Sequence, residues 1–312
     1  MRALGKAAVL FTAIGVLLYG GLYWTAERLV YRTGRTNPFF KMATTEDRSF
    51  DWVILGASHA MPLDFDDFNA HMEAATDLRI LNLAAPGTGP LYTRFVLEHF
   101  LRGRRTGNVL YVLNSFAFSS RAWNEDRFAD AGLLRRTPFE PSLARHLLEY
   151  SRRHGVSALA VLDYVTGFSK INNRGRFQPD IWEGEKQFDR THRPSAVSDR
   201  KRISYLYPSP PDAAARERYL REFTTLLTLA RTRGAHVVAV KMPVPKRFHT
   251  RLPEEEVFDQ AVRKLLAAGG ADFHDFSLTM DEPRFYFDTD HLNRTGLTEF
   301  FERHLKEILL TP

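Results

Sequence analysis

From residue 49 onward short apolar runs alternate with amphipathic stretches, a pattern that predicts strands joined by helices. The expected strands are residues 50–55, 78–83, 108–113, 236–242 and 271–276. The third (NVLYVL) is apolar almost throughout, as a parallel strand covered on both faces must be. Between the second and third, residues 91–102 put Leu91, Tyr92, Phe95, Val96 and Phe100 on one helical face. A helix is expected over residues 212–233, entered at Pro211 and followed by Gly234. Another over 258–268 is stopped by Gly269 and Gly270, and 295–310 forms the closing helix. The predicted fold class is α/β, a three-layer sandwich around a mostly parallel sheet.

Two stretches break the alternation. Residues 7–24 form an 18-residue run without a charge, about 27 Å long as a helix and close to the hydrocarbon thickness of a bilayer. Arg2 and Lys6 precede it, which favours a cytoplasmic N-terminus, and Tyr19, Tyr23 and Trp24 gather at its far end. A cleaved signal peptide needs small residues at both cleavage-site positions, but Gly21 and Ala26 have Tyr19 and Trp24 two positions earlier. An uncleaved transmembrane anchor over 1–24 is the reading taken, with a polar juxtamembrane linker over 25–48 and the α/β domain over 49–312. That places the protein in the cytoplasmic membrane as a single-pass chain with its C-terminal domain extracytoplasmic. The second break is an insertion at about 120–205. It has helices expected at 141–154 and 156–167, then a polar, strand-poor segment over 169–204. It has too few apolar runs for its own core, and is expected to be a lid on the same domain.

Charge and composition narrow the partners. The 43 basic and 37 acidic residues leave a net +6 without a long Lys/Arg block, so a nucleic-acid partner is not expected. A mildly basic surface suits anionic envelope polymers or lipid head groups. The absence of cysteine excludes disulfides, thiolate metal sites and Cys nucleophiles.

Gly56-Ala57-Ser58-His59 directly follows the first expected strand, where ligands of open parallel sheets bind. Alone, such a triplet is usually a turn. Before the closing helix stands Phe287-Asp288-Thr289-Asp290-His291-Leu292-Asn293. A histidine can take the proton of a serine hydroxyl, and a carboxylate three residues earlier can orient that histidine. The plainer reading is an acidic loop with Asn293 capping the helix.

Taken together and in this order, the blocks resemble the SGNH (GDSL-like) hydrolase superfamily. Asn82-Leu83-Ala84-Ala85-Pro86-Gly87 is similar to its second block and Val112-Leu113-Asn114-Ser115 to its third. The likeness covers roughly residues 50–118 and 235–310. It implies a flavodoxin-like SGNH fold, with Ser58 as nucleophile, His291 as base and Asp288 as its orienting partner. The Ser58 and Gly87 N–H groups and the Asn114 amide would form the oxyanion hole. The chain departs from the family at Ala57, His59, Val112 and Ser115, which leaves room for an inactive relative. Asp290 is assigned to loop structure or solvent. His59 is a candidate substrate contact that more often would point elsewhere. A metal site of Asp288, Asp290 and His291 lacks a further ligand cluster, so no metal or organic cofactor is implied. Lys170, Arg174, Arg176, Arg190 and Arg193 could line a groove for an anionic glycan, but acidic neighbours make a solvated mixed surface the simpler reading.

A membrane-tethered domain of this kind is similar to DltD-like and alginate O-acetylation-type proteins. The implied activity is serine-dependent O-acyl transfer or ester hydrolysis on an acylated glycan or glycolipid, through acyl-Ser58, with a membrane-bound acyltransferase as candidate partner. The alternatives are a non-catalytic tethered subunit that binds glycan or scaffolds an acyltransferase, and a lipid esterase.

Overall fold

The computed structural model describes residues 2–311; the side chain of Arg2, one of the two expected flanking charges, lies outside the described residues. In chain order the elements are α1 (Arg2–Thr33), α2 (Pro38–Thr44), β1 (Ser49–Gly56), α3 (Phe68–Thr76), β2 (Ile80–Asn82), α4 (Pro90–Phe100) and β3 (Arg105–Val112). There follow α5 (Pro141–His154), α6 (Ala158–Thr166), α7 (Ala196–Leu206), α8 (Ala213–Thr232), β4 (His236–Lys241), α9 (Glu255–Gly269), β5 (Asp272–Asp275) and α10 (Arg294–Phe300). A π-turn, Phe301–Leu305, carries α10 into a last helical turn, Lys306–Leu310. These residues divide into two compact units.

The larger unit spans Thr44–Arg127 and the chain from Ile181 onward. Its five strands are all parallel in the order β2-β1-β3-β4-β5. This is the doubly wound flavodoxin-like order, whose direction of winding reverses at β1 and β3. The alternation of side chains along each strand divides the core into two layers. Trp52, Ile54, Leu110, Val112, Val238 and Val240 pack with Phe68 and Met72 of α3 and with Leu297 and Phe300 of α10. On the other face Tyr111 meets Phe223 of α8 at 4.8 Å between ring centroids. The α/β sandwich with a parallel sheet is therefore as the apolar pattern predicts. β2 is shorter than expected because Asn82 turns its side chain back, donating to Ala60 O at 2.8 Å and accepting from Ala84 N at 3.0 Å.

The smaller unit joins the chain through Ala43 with Phe128–Asp180. Its α1 is long and apolar enough to cross a membrane, and the apolar part is covered by no protein. α1 does not end with the uncharged run, and α2 follows within the segment expected to be a linker, which is thus largely helical. The cause lies in partners contributed by residues 128–180. Lys170 Nζ donates to Glu27 Oε2 at 2.6 Å, and Arg136 Nη1 to Thr33 Oγ1 at 2.6 Å. Asn37 Nδ2 donates to Leu133 O and Thr137 Oγ1.

The expected insertion at 120–205 is accordingly not one body. Residues up to 127 and from 181 belong to the α/β unit, where Phe188 is buried and meets Phe65 edge-on at 5.4 Å. The polar 169–204 segment also contains a helix that its composition hid. Ser195 caps α7, its Oγ accepting from Ser198 N at 3.3 Å.

Candidate active site

Three loops at the carboxyl ends of β1, β2 and β3 carry the first group of predicted residues. At Gly56 the backbone adopts φ +142°, and a Cβ there would lie 2.8 Å from Val112 O on the neighbouring strand. Glycine lets the chain leave the sheet at this point and turn Ser58 above it. The loop after β2 is tied to the same spot, since Ala85 N and Thr88 Oγ1 both donate to Gly56 O. Gly87 in that loop has φ +62°, with the Trp123 ring 2.9 Å from where a Cβ would sit. Asn114 follows β3, and its Oδ1 is buried without a hydrogen-bond partner. Among the described residues the Ser58 and Gly87 N–H groups donate to no protein acceptor.

The fourth loop precedes α10. A bridge between Tyr286 and Leu292 and the bond from Phe287 N to His291 O close it into a tight turn. Inside the turn Asp288 Oδ1 accepts from Asp290 N at 3.0 Å and His291 N at 2.8 Å. That Asx geometry folds the carboxylate back onto its own loop. His291 Nδ1 consequently lies 2.9 Å from Asp288 Oδ2, and its Nε2 lies 2.8 Å from Ser58 Oγ. Ser58, His291 and Asp288 are thus joined in one hydrogen-bonded chain across 233 residues of sequence. Asn293 caps α10 through Gly296 N and donates to Arg190 O and Arg284 O, fixing the loop's far end.

Asp290 is the main correction to the sequence reading. It is fully buried rather than solvated, and Arg202 grips both its oxygens, with Nε 3.0 Å from Oδ1 and Nη2 3.0 Å from Oδ2. Burial disfavours its charge, but the guanidinium prevails and holds the carboxyl below its ordinary range. Asp288 is also held low, with burial outweighed by His291 beside it and by its hydrogen bonds. His59 lies face to face with His291 at 4.5 Å, and its Nε2 is 3.4 Å from Asp290 Oδ2. Neither of its nitrogens has a hydrogen-bond partner. Burial, and then the proximity of His291, push its pKa down to about 3, so this imidazole is neutral at pH 7.

His59, Asp290 and His291 are close enough together to be weighed as a cation site. The donors fit poorly. His291 uses both nitrogens in the chain to Ser58 and Asp288, and Asp290 already neutralises Arg202. Beside the site a small cavity of about 30 Å³ is lined by His59, Asn114, Ser115, Tyr207 and Asp290. Its floor is a second polar cluster, in which Lys241 Nζ donates to Glu255 at 2.6 Å and Asp259 at 2.8 Å. Ser115 donates to Glu255 and lies 2.7 Å from the Tyr207 hydroxyl.

Sequence reasoning missed Arg202 and Trp182, whose ring meets His291 edge-on at 5.5 Å. Both come from the polar segment set aside as an insertion. A tryptophan in the stretch Ile181-Trp182-Glu183-Gly184 was the available signal. Of the basic residues weighed for a groove there, Lys170 is buried against Glu27.

No family model and no curated protein matches the chain. Among solved structures, a GDSL-like lipase of Bacteroides thetaiotaomicron is similar at TM-score 0.44 and 8% identity, over 86% of this chain and 93% of that one. A proposed acylhydrolase of Bacteroides fragilis is similar at TM-score 0.42 and 7% identity, over 85% and 88% respectively.

Proposed function

We propose that this chain is a serine esterase or O-acyltransferase acting through an acyl-Ser58 intermediate. The observation that carries the reading is the hydrogen-bonded chain from Ser58 Oγ through His291 to Asp288. In the proposed reaction Ser58 Oγ attacks the ester carbonyl carbon while His291 Nε2 takes its proton. The carbonyl oxygen becomes an oxyanion held by the Ser58 and Gly87 N–H groups and the Asn114 amide. Such donors are each worth about 2.7–4 kcal/mol of barrier. Collapse breaks the bond to the leaving alkoxide, which receives the proton from His291. Water or a sugar hydroxyl then attacks the acyl carbon, giving its proton to His291; the acyl–Oγ bond breaks and His291 returns the proton to Ser58 Oγ. Asp288 stabilises the imidazolium at each stage.

The long apolar α1 supports a single-pass anchor in the cytoplasmic membrane, and Lys6 before it supports an extracytoplasmic α/β unit. An acylated envelope glycan or glycolipid is the proposed substrate, and a membrane-bound acyltransferase the proposed partner. The near-complete burial of Ser58, 4% exposed, favours a second reading, a tethered glycan-binding or scaffold subunit without turnover. A fluorophosphonate separates the two. Wild type should be labelled at Ser58, located by peptide mass, and Ser58→Ala should lose labelling and ester turnover while keeping its fold. An unlabelled wild type supports the scaffold, and unchanged turnover in the variant removes Ser58 from the mechanism.

A further inference from the structure

We propose that α6 and the turn after it form a second membrane contact, an interfacial segment that lies in the lipid head-group region beside α1. The proposal rests on the reading of α1 as membrane-spanning. All the residues involved belong to the smaller unit.

Residues 166–176 run along α1. Tyr19 Oη donates to Thr166 O at 3.0 Å, Lys170 pairs with Glu27 at 2.6 Å, and Thr33 Oγ1 donates to Arg176 O at 3.3 Å. At about 1.5 Å per residue, Tyr19 lies about 12 Å nearer the membrane centre than Glu27. It also lies about 7.5 Å nearer than Trp24, over whose ring the Arg28 guanidinium sits at 4.1 Å. An aromatic ring with an arginine over it and the first acidic residue mark the water boundary of a spanning helix. The C-terminal end of α6 therefore reaches below that boundary.

A segment at this depth has two requirements: its backbone polar groups must be paired, and its outward side chains must be apolar. α6 meets both. The Thr166 carbonyl accepts the Tyr19 hydroxyl. Leu159, Leu162, Val165 and Phe168, at three-residue steps, are 73%, 58%, 47% and 61% exposed. The one acid within α6, Asp163, is turned inward and accepts from Ser169 N at 2.8 Å and Ser169 Oγ at 2.5 Å. Tyr164 is buried, its hydroxyl donating to Pro138 O at 2.6 Å. Lys170, the next charge, is buried against Glu27. Charged residues become exposed again only at Arg174, at the level of the water-side end of α1. Continuity with the uncovered apolar surface of α1 identifies lipid as the occupant of this face, since the same acyl chains that surround Leu17 and Leu18 extend to it.

The chain has no cysteine, so single-cysteine variants of the full-length protein can report depth directly. Nitroxide labels would be placed at Leu162→Cys, Phe168→Cys, Leu17→Cys and Leu310→Cys, in vesicles of phosphatidylethanolamine and phosphatidylglycerol. Accessibility to oxygen and to a water-soluble nickel chelate gives the depth of each. The expected result is lipid depth at 17, about 5–10 Å of immersion at 162 and 168, and full water access at 310. Water access at 162 and 168 with lipid depth at 17 overturns the proposal and leaves the anchor standing. Water access at 17 removes the anchor, and the proposal falls with it. Dipolar broadening at 162 and 168, without oxygen access, assigns the face to a second copy of the chain and overturns the lipid assignment. Labels at Leu159→Cys and Val165→Cys repeat the test should either of the first pair fail to fold.

Discussion

Phe168 and Phe188 come from the same stretch of sequence, yet the first is 61% exposed and the second 1%. Phe188 packs on Phe65 in the α/β unit, where nearly every apolar side chain of the sheet finds a protein partner. Phe168 continues a row of uncovered apolar residues next to a helix that is itself uncovered. Burial against protein follows from a layered fold that must close both faces of a sheet. An ordered apolar row left uncovered marks a contact with lipid or with another protein, and lipid is the occupant proposed for this one. The polar residues divide in the same manner. In the α/β unit they form closed networks such as Asp288-His291-Ser58 and Arg202-Asp290, whereas the outer face of α6 carries no charge at all. Substitutions in the α/β unit should therefore register in turnover and stability, and those on α6 in membrane behaviour alone.

The largest effect is expected at Asp288, the proposed orienting carboxylate. Asp288→Asn removes the charge 2.9 Å from His291 Nδ1. It should slow single-turnover acylation by up to about 10⁴-fold, the loss known for the equivalent change in a serine protease. A loss smaller than that of Asp290→Asn would mean that the two carboxylates have been assigned the wrong way round.

Asp290→Asn should act chiefly on stability. Asp290 is buried but the Arg202 side chain is 23% exposed, so the guanidinium left behind is only partly desolvated. The cost should fall below about 3–5 kcal/mol, the value for a fully buried pair. Replacing both, as Asp290→Asn with Arg202→Gln, should recover part of that loss. Denaturant midpoints of the two single variants and the double variant test this. Additive losses would show that the pair is not a unit and that the site's networks are less closed than drawn.

A third effect follows from His59. Its folded pKa, about 3, lies below the ordinary imidazole value of 6.5. Between those values the unfolded chain binds a proton that the folded chain refuses, so stability falls as pH falls through this window. The slope is up to about 1.4 kcal/mol per pH unit. His59→Phe keeps the ring beside His291 and breaks no hydrogen bond, since neither nitrogen makes one. Melting curves between pH 6.5 and 4.5 should be flatter for the variant. Equal slopes would mean that His59 is not held neutral by burial.

Much of this arrangement is legible in the sequence, and what is not has a physical cause. The central parallel strands announce themselves because a strand buried on both faces must be apolar over most of its length, as residues 109–112 and 237–240 are. The proposed Ser58, His291 and Asp288 can be found because each sits at a strand or helix end, where local spacing places it. Asp290 is misread because adjacency to His291 says nothing of Arg202, 88 residues away in the chain. Residues 120–205 are misread as one lid for a similar reason. Their apolar residues are too sparse for a core of their own, but the missing partners lie elsewhere: Phe65 for Phe188, Glu27 for Lys170. Tertiary contacts of that range leave no periodic trace.

The smallest expected effect is the one that most sharply tests the contrast between the units. Leu162 is 58% exposed, so Leu162→Gln removes little that protein atoms contact. In detergent-solubilised full-length protein its stability should stay within about 0.5 kcal/mol of wild type. Phe188→Ala, from the buried side of the comparison, should cost about 3–5 kcal/mol. Both variants should keep the proposed catalytic chain intact, since neither residue touches Ser58, His291 or Asp288 in the hydrogen-bonded array. The two would then be distinguished by what they lose: the core variant its melting temperature, the α6 variant its labelled-lipid contact and nothing else. A large drop in melting temperature for Leu162→Gln would mean that protein, not lipid, covers this face in the working state. The exposed row would then belong to an interface, and the difference between Phe168 and Phe188 would be one of partner rather than of solvent.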